Sequence, residues 1–450
     1  MTQKNVVFLV LDSLRKDRTS IYNDEIDFTP TLQSIADSGK VYQDAVAQAP
    51  WTLPSHVSMF TGQYPWEHGV TQSKTVMDKN QETFIQEFND LGYQTAAITP
   101  NVWITPHKGT TKDFDKVENF LGKKDNKVTA KISRRITKIF DNLSQKRKKK
   151  AEKYIDRLFK YFSVDDSCKS EETVQEAEKY LKEVGDEDFF LYINLMEPHE
   201  PYNPPKKYME KHGVEDKEGI PDRQKGLFTQ EIDYEKLKKI YDASTDYTDD
   251  LVARIKDSLT ENNLDNDTVL IVISDHGQAL GEDDIFGHQF TVDPSTTDTL
   301  MMIDDPEEEP GEVKKPTELR KLYDLTPQHA GIRQKDKLED TEMVKGGYDY
   351  PSIFIGYVPE EKWDKYYNKY HYIQTDKQRT VQKINQDGEA KTTTVKLETG
   401  GETETPEKIM QNLDEIADQD SEEDIEAEKD EDEDIDDEEI KERLEALGYK

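Results

Sequence analysis

The chain contains three runs of mainly apolar residues, at positions 5–11, 188–195 and 268–274, and each of them ends at polar residues. Continuous rather than alternating apolar side chains are typical of strands that are buried on both faces of a parallel sheet. Further strands are predicted over residues 41–45 and 94–99, and helices over residues 29–38, 82–91, 171–184 and 234–261. This alternation of strands and helices predicts an α/β layered fold.

The pattern weakens after residue 300. A helix is predicted over residues 316–332, followed by strands over residues 350–357, 370–375, 380–384 and 393–397. These strands predict a small C-terminal antiparallel subdomain. Residues 419–438 are almost entirely Asp and Glu, which is typical of a disordered segment, and residues 440–447 favour a final short helix. We therefore assign residues 1–335 to a main domain, 336–418 to the subdomain and 419–450 to an acidic tail.

A basic insertion interrupts the main domain at about residues 108–162. Within it, residues 123–153 are strongly basic, and apolar residues recur at helical spacing at Val128, Ile132, Ile136, Ile139, Phe140 and Leu143. A basic amphipathic helix can contact anionic lipid or an anionic polymer at a membrane surface. The interpretation that we favour is a helix that packs its apolar stripe on its own domain and exposes its charged face to solvent.

The composition restricts the class of protein. The 450 residues carry a formal net charge of −36, and only 33% of them are hydrophobic. Such an acidic surface suits high ionic strength, which indicates a halophilic source, and it disfavours nucleic acid as a partner. Cys168 is the single cysteine, and we find neither a signal peptide nor an apolar run of transmembrane length. These features predict a soluble, cytoplasmic protein.

The segment from Pro50 to Gly69 carries the most specific local signal. Thr52 suits the N-cap of a short helix, and Pro54 suits its first turn. The N–H groups and the dipole of such a helix end favour an anion. A Thr52 hydroxyl there is well placed to attack a sulfate or phosphate ester, although a threonine at this position can also act as a cap alone.

Ionisable residues follow each of the three buried strands. Asp12 ends the first, His199 follows the second, and Asp275 and His276 follow the third. Ligands bind at this edge of open α/β sheets. Each residue alone is compatible with a turn or a structural role, but Asp12, Asp275 and His276 together can ligate one divalent cation. The ligand types do not distinguish Mn²⁺, Ca²⁺, Mg²⁺ and Zn²⁺.

A cation would activate Thr52, because coordination lowers the pKa of a hydroxyl and offsets charge on the ester oxygens. Thr52 is therefore predicted as both nucleophile and metal ligand. Four further residues are candidates to bind the anion or to protonate the leaving group. They are His199, His288, His56 and Arg15.

The motifs resemble those of the sulfatases of the alkaline phosphatase superfamily. The matching segments are F-L-V-L-D-S-L-R-K-D at 8–17, T-L-P-S-H at 52–56, T-G-Q-Y-P-W-E-H-G-V at 61–70, M-E-P-H-E-P-Y at 196–202, S-D-H-G-Q-A-L-G-E at 274–282, F-G-H at 286–288 and E-R-L-E-A-L-G-Y at 442–449. The resemblance implies an α/β sandwich around a central, mostly parallel sheet with a smaller C-terminal subdomain. It also implies that Asp12, Asp275 and His276 hold the metal, that Thr52 is the nucleophile, and that His199 and His288 contact substrate.

The chain departs from the sulfatase pattern at three positions. Sulfatases have Cys or Ser at the nucleophile, which is converted to formylglycine, and Thr52 cannot form that aldehyde. His56 stands where these enzymes have Arg, and Ser13 stands where a second Asp ligand is common. Thr nucleophiles are typical of the phosphodiesterase, phosphotransferase and phosphomutase branches. The chain has only nine histidines, and because a second metal site needs further Asp and His ligands we expect one metal ion.

These observations predict a metal-dependent hydrolase of sulfate or phosphate esters. The expected substrate is an anionic ester of a sugar, a lipid head group or a polymer. One alternative is a phosphodiesterase or a transferase of phospho groups from the same superfamily. The other is a sulfatase-like protein that binds such anions without catalysis.

Overall fold

The computed structural model describes residues 3–120, 169–224, 226–334, 342–352 and 358–422. The strands in these residues are β1 Asn5–Leu11, β2 Lys40–Tyr42, β3 Ala45–Val46, β4 Gln94–Thr99, β5 Lys116–Asn119, β6 Phe189–Leu195, β7 Thr268–Ile273, β8 Ala279–Leu280, β9 Phe286–Gly287, β10 Asp298–Thr299, β11 Met301–Asp304, β12 Gly311–Val313, β13 Thr317–Glu318, β14 Val344–Tyr348, β15 Lys369–Gln374, β16 Gln378–Ile384, β17 Ala390–Lys396 and β18 Glu402–Thr403.

The α-helices in the same residues are α1 Pro30–Ser38, α2 Thr52–Thr61, α3 Pro65–His68, α4 Ile85–Asp90, α5 Ser170–Glu183, α6 Lys206–Lys211, α7 Gly226–Thr229, α8 Tyr234–Glu261, α9 Pro294–Thr297, α10 Leu322–His329, α11 Trp363–Tyr366 and α12 Glu407–Glu422. Short 3₁₀ helices lie at Lys16–Arg18, Asp265–Asp267, Glu282–Asp284, Leu319–Lys321 and Glu360–Lys362. None of the described helices combines the length and the apolar character that crossing a membrane requires.

The main sheet has the strand order β12, β2, β11, β7, β1, β6, β4, β5. Neighbouring strands are parallel except at β11, which runs antiparallel to both β7 and β2. The first apolar run thus lies in the middle of the sheet, where Val7 aligns with Leu191 of β6 and with Leu270 of β7. The predicted α/β fold with a mostly parallel sheet is confirmed.

Helices cover both faces of this sheet. Because side chains alternate along a strand, β1 contributes to two separate cores. Phe8 packs against Phe60 of α2 and Phe84, with ring centroids 6.5 and 6.2 Å away. Leu9 faces the other way and belongs to a core that includes residues of α1, α5 and α8. This two-sided burial explains why the runs are continuously apolar.

The C-terminal strands form a separate antiparallel sheet in the order β14, β15, β16, β17, β18. Its aromatic residues Tyr348, Tyr370 and Tyr372 share a hydrophobic core with Trp51 and Leu53 at the start of α2. This antiparallel sheet was predicted, and its contact with α2 ties it to the segment that carries Thr52. The proposed domain boundaries remain a prediction.

Most of the predicted elements of the main sheet lie within one residue of the observed ones. They are the strands at 5–11, 94–99, 188–195 and 268–274 and the helices at 29–38, 171–184 and 234–261. The helix predicted at 82–91 is shorter, and the strand predicted at 41–45 is divided into β2 of the main sheet and β3 of a small sheet with β10 and β13.

Two predictions for the second half of the chain are wrong. The single helix predicted at 316–332 begins instead as strand β13, because Thr317 pairs with Ala45 of β3, and α10 starts only at Leu322. Residues 350–352 form no strand, and β14 precedes them. Four parts of the sequence predictions lie outside the described residues. They are residues 353–357 of the strand predicted at 350–357, the basic segment 123–153, Cys168 and residues 423–450.

Candidate active site

Four parallel strands bring polar residues to one edge of the main sheet. Asp12 follows β1, Asn101 follows β4, and Asp275 and His276 follow β7, while the loop after β6 carries His199. These strands are neighbours in the order β7, β1, β6, β4, so their carboxyl ends meet. The sheet topology therefore assembles residues that are up to 264 positions apart in the sequence, as Asp12 and His276 are.

Helix α2 carries Thr52 to the same edge. Thr52 is the first helical residue and Trp51 is the N-cap, without a capping side-chain hydrogen bond. The prediction that Thr52 itself caps the helix is therefore wrong, and its hydroxyl faces His276 instead. The distance from Thr52 Oγ1 to His276 Nε2 is 3.3 Å. Ser55 Oγ donates to the carbonyl oxygen of Asp275 at 2.6 Å, and this hydrogen bond connects the helix to the end of β7.

Asp12, Asp275 and His276 form one compact, fully buried group. His276 Nε2 lies 3.9 Å from Asp12 Oδ1 and 3.5 Å from Asp275 Oδ2. The other ring nitrogen of His276, Nδ1, donates to the carbonyl oxygen of Gly277 at 2.8 Å. This hydrogen bond puts the ring proton on Nδ1 and the lone pair on Nε2, as a metal-binding imidazole requires.

The electrostatics of this group also fit a cation. Burial, together with the charge of Asp275, raises the pKa of Asp12 to about 6. Burial raises the pKa of Asp275 to about 7 and lowers that of His276 to about 4. Asp275 Oδ2 is buried and has no hydrogen-bond partner. Two buried carboxylates and a neutral imidazole are a donor set that a divalent cation stabilises, so the residues fit one metal ion.

The sequence did not reveal the residues that hold Asp12. Asn101 Nδ2 donates to Asp12 Oδ2 at 2.7 Å, and Ser13 Oγ donates to Asp12 Oδ1 at 3.1 Å. Ser13 also links the two carboxylates, because its backbone N–H donates to Asp275 Oδ1 at 3.1 Å. Ser13 has a positive φ of 60°. An asparagine shortly after a strand is a weak signal in sequence, and only the long-range contact identifies this one.

His199 and His288 line the site beside the group of Asp12, Asp275 and His276. The ring centroid of His288 lies 4.5 Å from that of His276 and 5.0 Å from that of His199. Burial lowers the pKa of His288 well below its usual value, and the neighbouring histidines add to this effect. Burial also acts to lower the pKa of His199, but Glu200 and Asp12 outweigh it, and the net shift is upward.

His56 and Arg15 lie close by, and the protein occupies their polar atoms. His56 Nδ1 donates to the carbonyl oxygen of Thr52 at 2.8 Å, and its Nε2 is 2.8 Å from the hydroxyl of Tyr192. The guanidinium of Arg15 forms ion pairs with Asp17 and Glu282 at 2.8 and 2.6 Å. Their substrate-binding role remains a prediction that these contacts do not favour.

Within the part of the chain that the structure describes, two other clusters combine histidine with one or more carboxylates. His199, Glu200 and His288 form the first, next to His276 of the Asp12–Asp275–His276 group. Asp305, Glu308 and His329 form the second, but there Lys4 pairs with Asp305 and Lys40 pairs with Glu308. Because two ammonium groups already neutralise these carboxylates, we interpret the second cluster as an ion-pair network.

Comparisons with known proteins identify the family to which the chain is similar. The family model described as Sulfatase matches residues 4–332. An arylsulfatase of Clostridium perfringens is 24% identical over 318 residues, which cover 63% of this chain and 64% of that protein. The chain thus spans slightly less than two thirds of this curated relative.

Solved structures with the same fold are more distant in sequence. A protein in complex with its substrate D-glucosamine-2-N,6-O-disulfate is 13% identical, with a TM-score of 0.68, and the match covers 94% of this chain and 99% of that one. The phosphonate monoester hydrolase of Agrobacterium radiobacter is also 13% identical, with a TM-score of 0.67 and coverages of 93% and 96%. At this identity the similarity concerns the fold.

Proposed function

The chain belongs to the sulfatase family, and from this premise we propose that it is a metal-dependent hydrolase of sulfate or phosphate esters with Thr52 as its nucleophile. The observation that carries the proposal is the position of Thr52 Oγ1, 3.3 Å from His276 Nε2 at the edge of the Asp12–Asp275–His276 group. A nucleophile needs a neighbouring group that activates it. The arylsulfatase relative supports an ester hydrolase.

Asp12, Asp275, His276 and Thr52 would hold one divalent cation. When bound, such a cation lowers the pKa of a coordinated hydroxyl and offsets negative charge on the ester oxygens. Asn101 and Ser13 keep Asp12 oriented. The donor types do not choose between Mn²⁺, Ca²⁺, Mg²⁺ and Zn²⁺.

The reaction then divides into two displacements. Thr52 Oγ bonds to the sulfur or phosphorus of the ester while the bond to the alcohol oxygen breaks. His199 gives a proton to that oxygen and regains the proton released from the Thr52 hydroxyl, so an alcohol leaves and a sulfo- or phosphothreonine remains. Water then cleaves this ester, which restores the hydroxyl and releases sulfate or phosphate.

The upward pKa shift of His199, which the carboxylates of Glu200 and Asp12 cause against the effect of burial, favours the protonated ring that an acid needs. His288 is the second residue that we place against the substrate. Because one relative is an arylsulfatase and one protein of the same fold binds D-glucosamine-2-N,6-O-disulfate as its substrate, a sulfated sugar is the first substrate class to examine. Phosphorylated sugars, lipid head groups and polymers are further candidates.

A second candidate is a phosphodiesterase or a phospho-group transferase. The observation that favours it is the nucleophile itself, because Thr52 cannot be converted to the formylglycine on which sulfatases depend. Aryl sulfate, aryl phosphate and aryl phosphodiester, each assayed with the four metals at high salt, distinguish the candidates. A preference for the diester supports the second candidate, and a preference for the sulfate supports the first.

The decisive variant is Thr52→Ala. We expect it to abolish turnover and to retain most of the metal affinity, because three ligands remain. Thr61→Ala is the matched control, since Thr61 lies at the other end of α2. Its hydroxyl donates to the carbonyl oxygen of Val57 at 2.7 Å and accepts from the backbone N–H of Gln63 at 3.3 Å. If Thr52→Ala turned over substrate like the control, Thr52 would not be the nucleophile. If neither the parent nor the control turned over any of the three esters while metal still bound, the protein would bind anions without catalysis.

A further inference from the structure

Glu200 lies between the two histidines that we place against the substrate. Its side chain is 1% exposed, and its Oε2 lies 3.7 Å from His199 Nδ1 and 4.0 Å from His288 Nδ1. The backbone carbonyl oxygen of Glu200 also accepts a hydrogen bond from His199 Nδ1. One residue therefore contacts His199 through both its main chain and its side chain.

Gln278 extends this contact to His288. Its Nε2 donates to Glu200 Oε2 at 2.5 Å and to the hydroxyl oxygen of Tyr202 at 2.8 Å. Its Oε1 accepts from His288 Nδ1 at 2.9 Å. Because Gln278 is fully buried and its amide is held on both sides, its carbonyl oxygen must face His288, which puts the ring proton of His288 on Nδ1.

Gln224 completes the arrangement from a third loop, because its Nε2 donates to Glu200 Oε1 at 2.9 Å. Both carboxylate oxygens of Glu200 thus accept a hydrogen bond from a glutamine amide. His199 Nδ1 donates to the backbone carbonyl oxygen of Glu200, and His288 Nδ1 donates to Oε1 of Gln278. In each ring this hydrogen bond is made by Nδ1, whereas Gln224 Nε2 lies farther from the His288 ring, 3.4 Å from Nδ1 and 3.5 Å from Nε2. A hydrogen bond at one ring nitrogen fixes the tautomer and orientation of a functional histidine.

We infer that Glu200 is a positioning residue: it orients His199 directly and His288 through Gln278, so that both imidazoles present Nε2 to the ester. This inference rests on the proposed function, because it concerns the residues that act on that ester. Glu200 itself touches neither the substrate nor the metal in this arrangement.

The first test compares Glu200→Gln with the parent on two aryl esters. Phenol is a poor leaving group that needs a proton from His199, whereas 4-nitrophenol needs little help. For the phenyl ester we expect kcat to fall about 10–100-fold, the usual range for losing an outer-shell partner, with KM changed less than threefold. For the 4-nitrophenyl ester, the fall in kcat should be at least fivefold smaller than for the phenyl ester. Equal losses on the two esters would indicate a general structural role and would overturn the inference.

Glu197→Gln is the matched control. Glu197 is a buried acid three positions away in the same loop, and its interactions are with Ser170 and the start of α5 rather than with the two histidines. We expect activity within about twofold of the parent on both esters. A Glu200→Gln variant that matched this control would overturn the inference.

The exchange Glu200→Gln with Gln278→Glu tests the pathway to His288. It rebuilds an amide–carboxylate pair in the opposite order, and the carboxylate introduced at position 278 would again offer an acceptor to His288 Nδ1. The double variant should recover at least fivefold over Glu200→Gln, a coupling that separate sites would not give. A double variant as slow as the product of the two single losses would contradict this role of Gln278.

A readout without turnover separates this inference from the proposed function. Two-bond ¹H–¹⁵N spectra of the nine histidines report which ring nitrogen carries the proton, and His288→Gln assigns the signal. In the parent we expect the Nδ1–H tautomer at His288, and in Gln278→Met a loss of that preference. Metal titration should give one ion per chain in both the parent and Glu200→Gln. A second ion that Glu200→Gln abolishes would make Glu200 a ligand and overturn the inference.

Discussion

At the scale of single residues, Asn101 is one of the site residues that sequence reasoning missed. Its Oδ1 accepts from the backbone N–H of Trp103 at 2.8 Å, and its Nδ2 donates to Asp12 at 2.7 Å. The first contact fixes the amide, and the second holds Asp12, which we propose as a metal ligand. The second contact is made with Asp12, which lies on another segment of the chain, so the sequence around Asn101 does not reveal it.

We predict that Asn101→Ala weakens Mn²⁺ binding about 10–100-fold, because an outer-shell donor to a ligand is lost. Asn101→Asp keeps the acceptor for Trp103 and puts a carboxylate beside Asp12, so it alters metal affinity without opening the turn. Isothermal titration calorimetry at fixed pH measures both. Asn89→Ala is the control, because Asn89 lies on α4 and its Nδ2 donates to the carbonyl oxygen of Asp113 at 2.6 Å rather than to Asp12. Equal affinities in Asn101→Ala and this control would show that Asp12 needs no such support.

Glu197 gives a residue-scale prediction about pH. Burial raises its pKa to about 8, from 4.5 in an exposed chain. The folded state therefore keeps a proton that the unfolded state releases, and stability falls as pH rises from about 4.5 through 8. Glu197→Gln removes this dependence. Between pH 5.5 and 7.5 the free energy of unfolding of the parent should fall relative to the variant by up to about 1.4 kcal/mol per pH unit.

Urea unfolding at saturating metal measures this difference. Asp12, Asp275 and His276 are present in both proteins, so their effect cancels in the comparison. Parallel curves for the parent and Glu197→Gln over this range would show that Glu197 is ionised in the folded protein.

At the scale of elements, the sequence predicts the strands and helices whose hydrophobic pattern continues along their whole length. Strands β1, β6 and β7 are buried on both faces, so nearly all of their residues are apolar and the pattern is easy to recognise in the sequence. Helix α8 is similarly clear, with its N-cap Asp233 accepting from Lys236 N at 3.0 Å. The polar residues that follow these strands were therefore placed correctly at one edge of the sheet.

Elements that depend on distant partners were missed. Strand β14 contains Gly346 and Gly347, which are unusual in strands, but a side chain at Gly346 would overlap the ring of Tyr372 on β15. Helix α12 buries Ile409, Leu413 and Ile416 against a core that includes Trp66. Neither environment can be read from the segment itself, because in both cases the partner lies elsewhere in the chain.

Helix α2 gives the prediction at this scale. All ten of its residues are buried, and His56 joins the helix to β6 through the hydroxyl of Tyr192. Burial lowers the pKa of His56 to about 3, so the ring is neutral. Tyr192→Phe would leave its Nε2 buried without this partner, and we expect the free energy of unfolding to fall by about 1–3 kcal/mol. Urea titration at saturating metal measures the loss.

Tyr93→Phe is the control for this change. The Tyr93 hydroxyl, also buried, donates to the carbonyl oxygen of Lys4 at 3.1 Å, outside the site. A purely local effect would make the two losses alike and leave metal affinity unchanged in both. Weaker metal binding in Tyr192→Phe alone would show that the His56 contact also sets the position of α2 at the metal site.

At the scale of the whole molecule, charge dominates. Ninety-six Asp and Glu residues against 60 Lys and Arg give the net charge of −36. Many described surface ion pairs join exposed groups, as Lys206 and Glu210 do at 2.8 Å, and such pairs contribute little to stability. The remaining acidic groups repel one another, which destabilises a compact state unless salt screens them.

We predict that the melting temperature rises by more than about 5 °C between 0.1 and 3 M KCl. The screening length falls from about 10 Å at 0.1 M to about 3 Å at 1 M, and each kcal/mol shifts the melting temperature of a large domain by about 2–4 °C. Sucrose of equal osmolality is the control, because it is excluded from the protein surface without screening charge. A smaller rise in sucrose than in KCl would assign the gain to electrostatics. A melting temperature that did not respond to KCl, or that rose equally in sucrose, would show that the acidic surface does not limit stability, and the inference of a halophilic source would lose its physical basis.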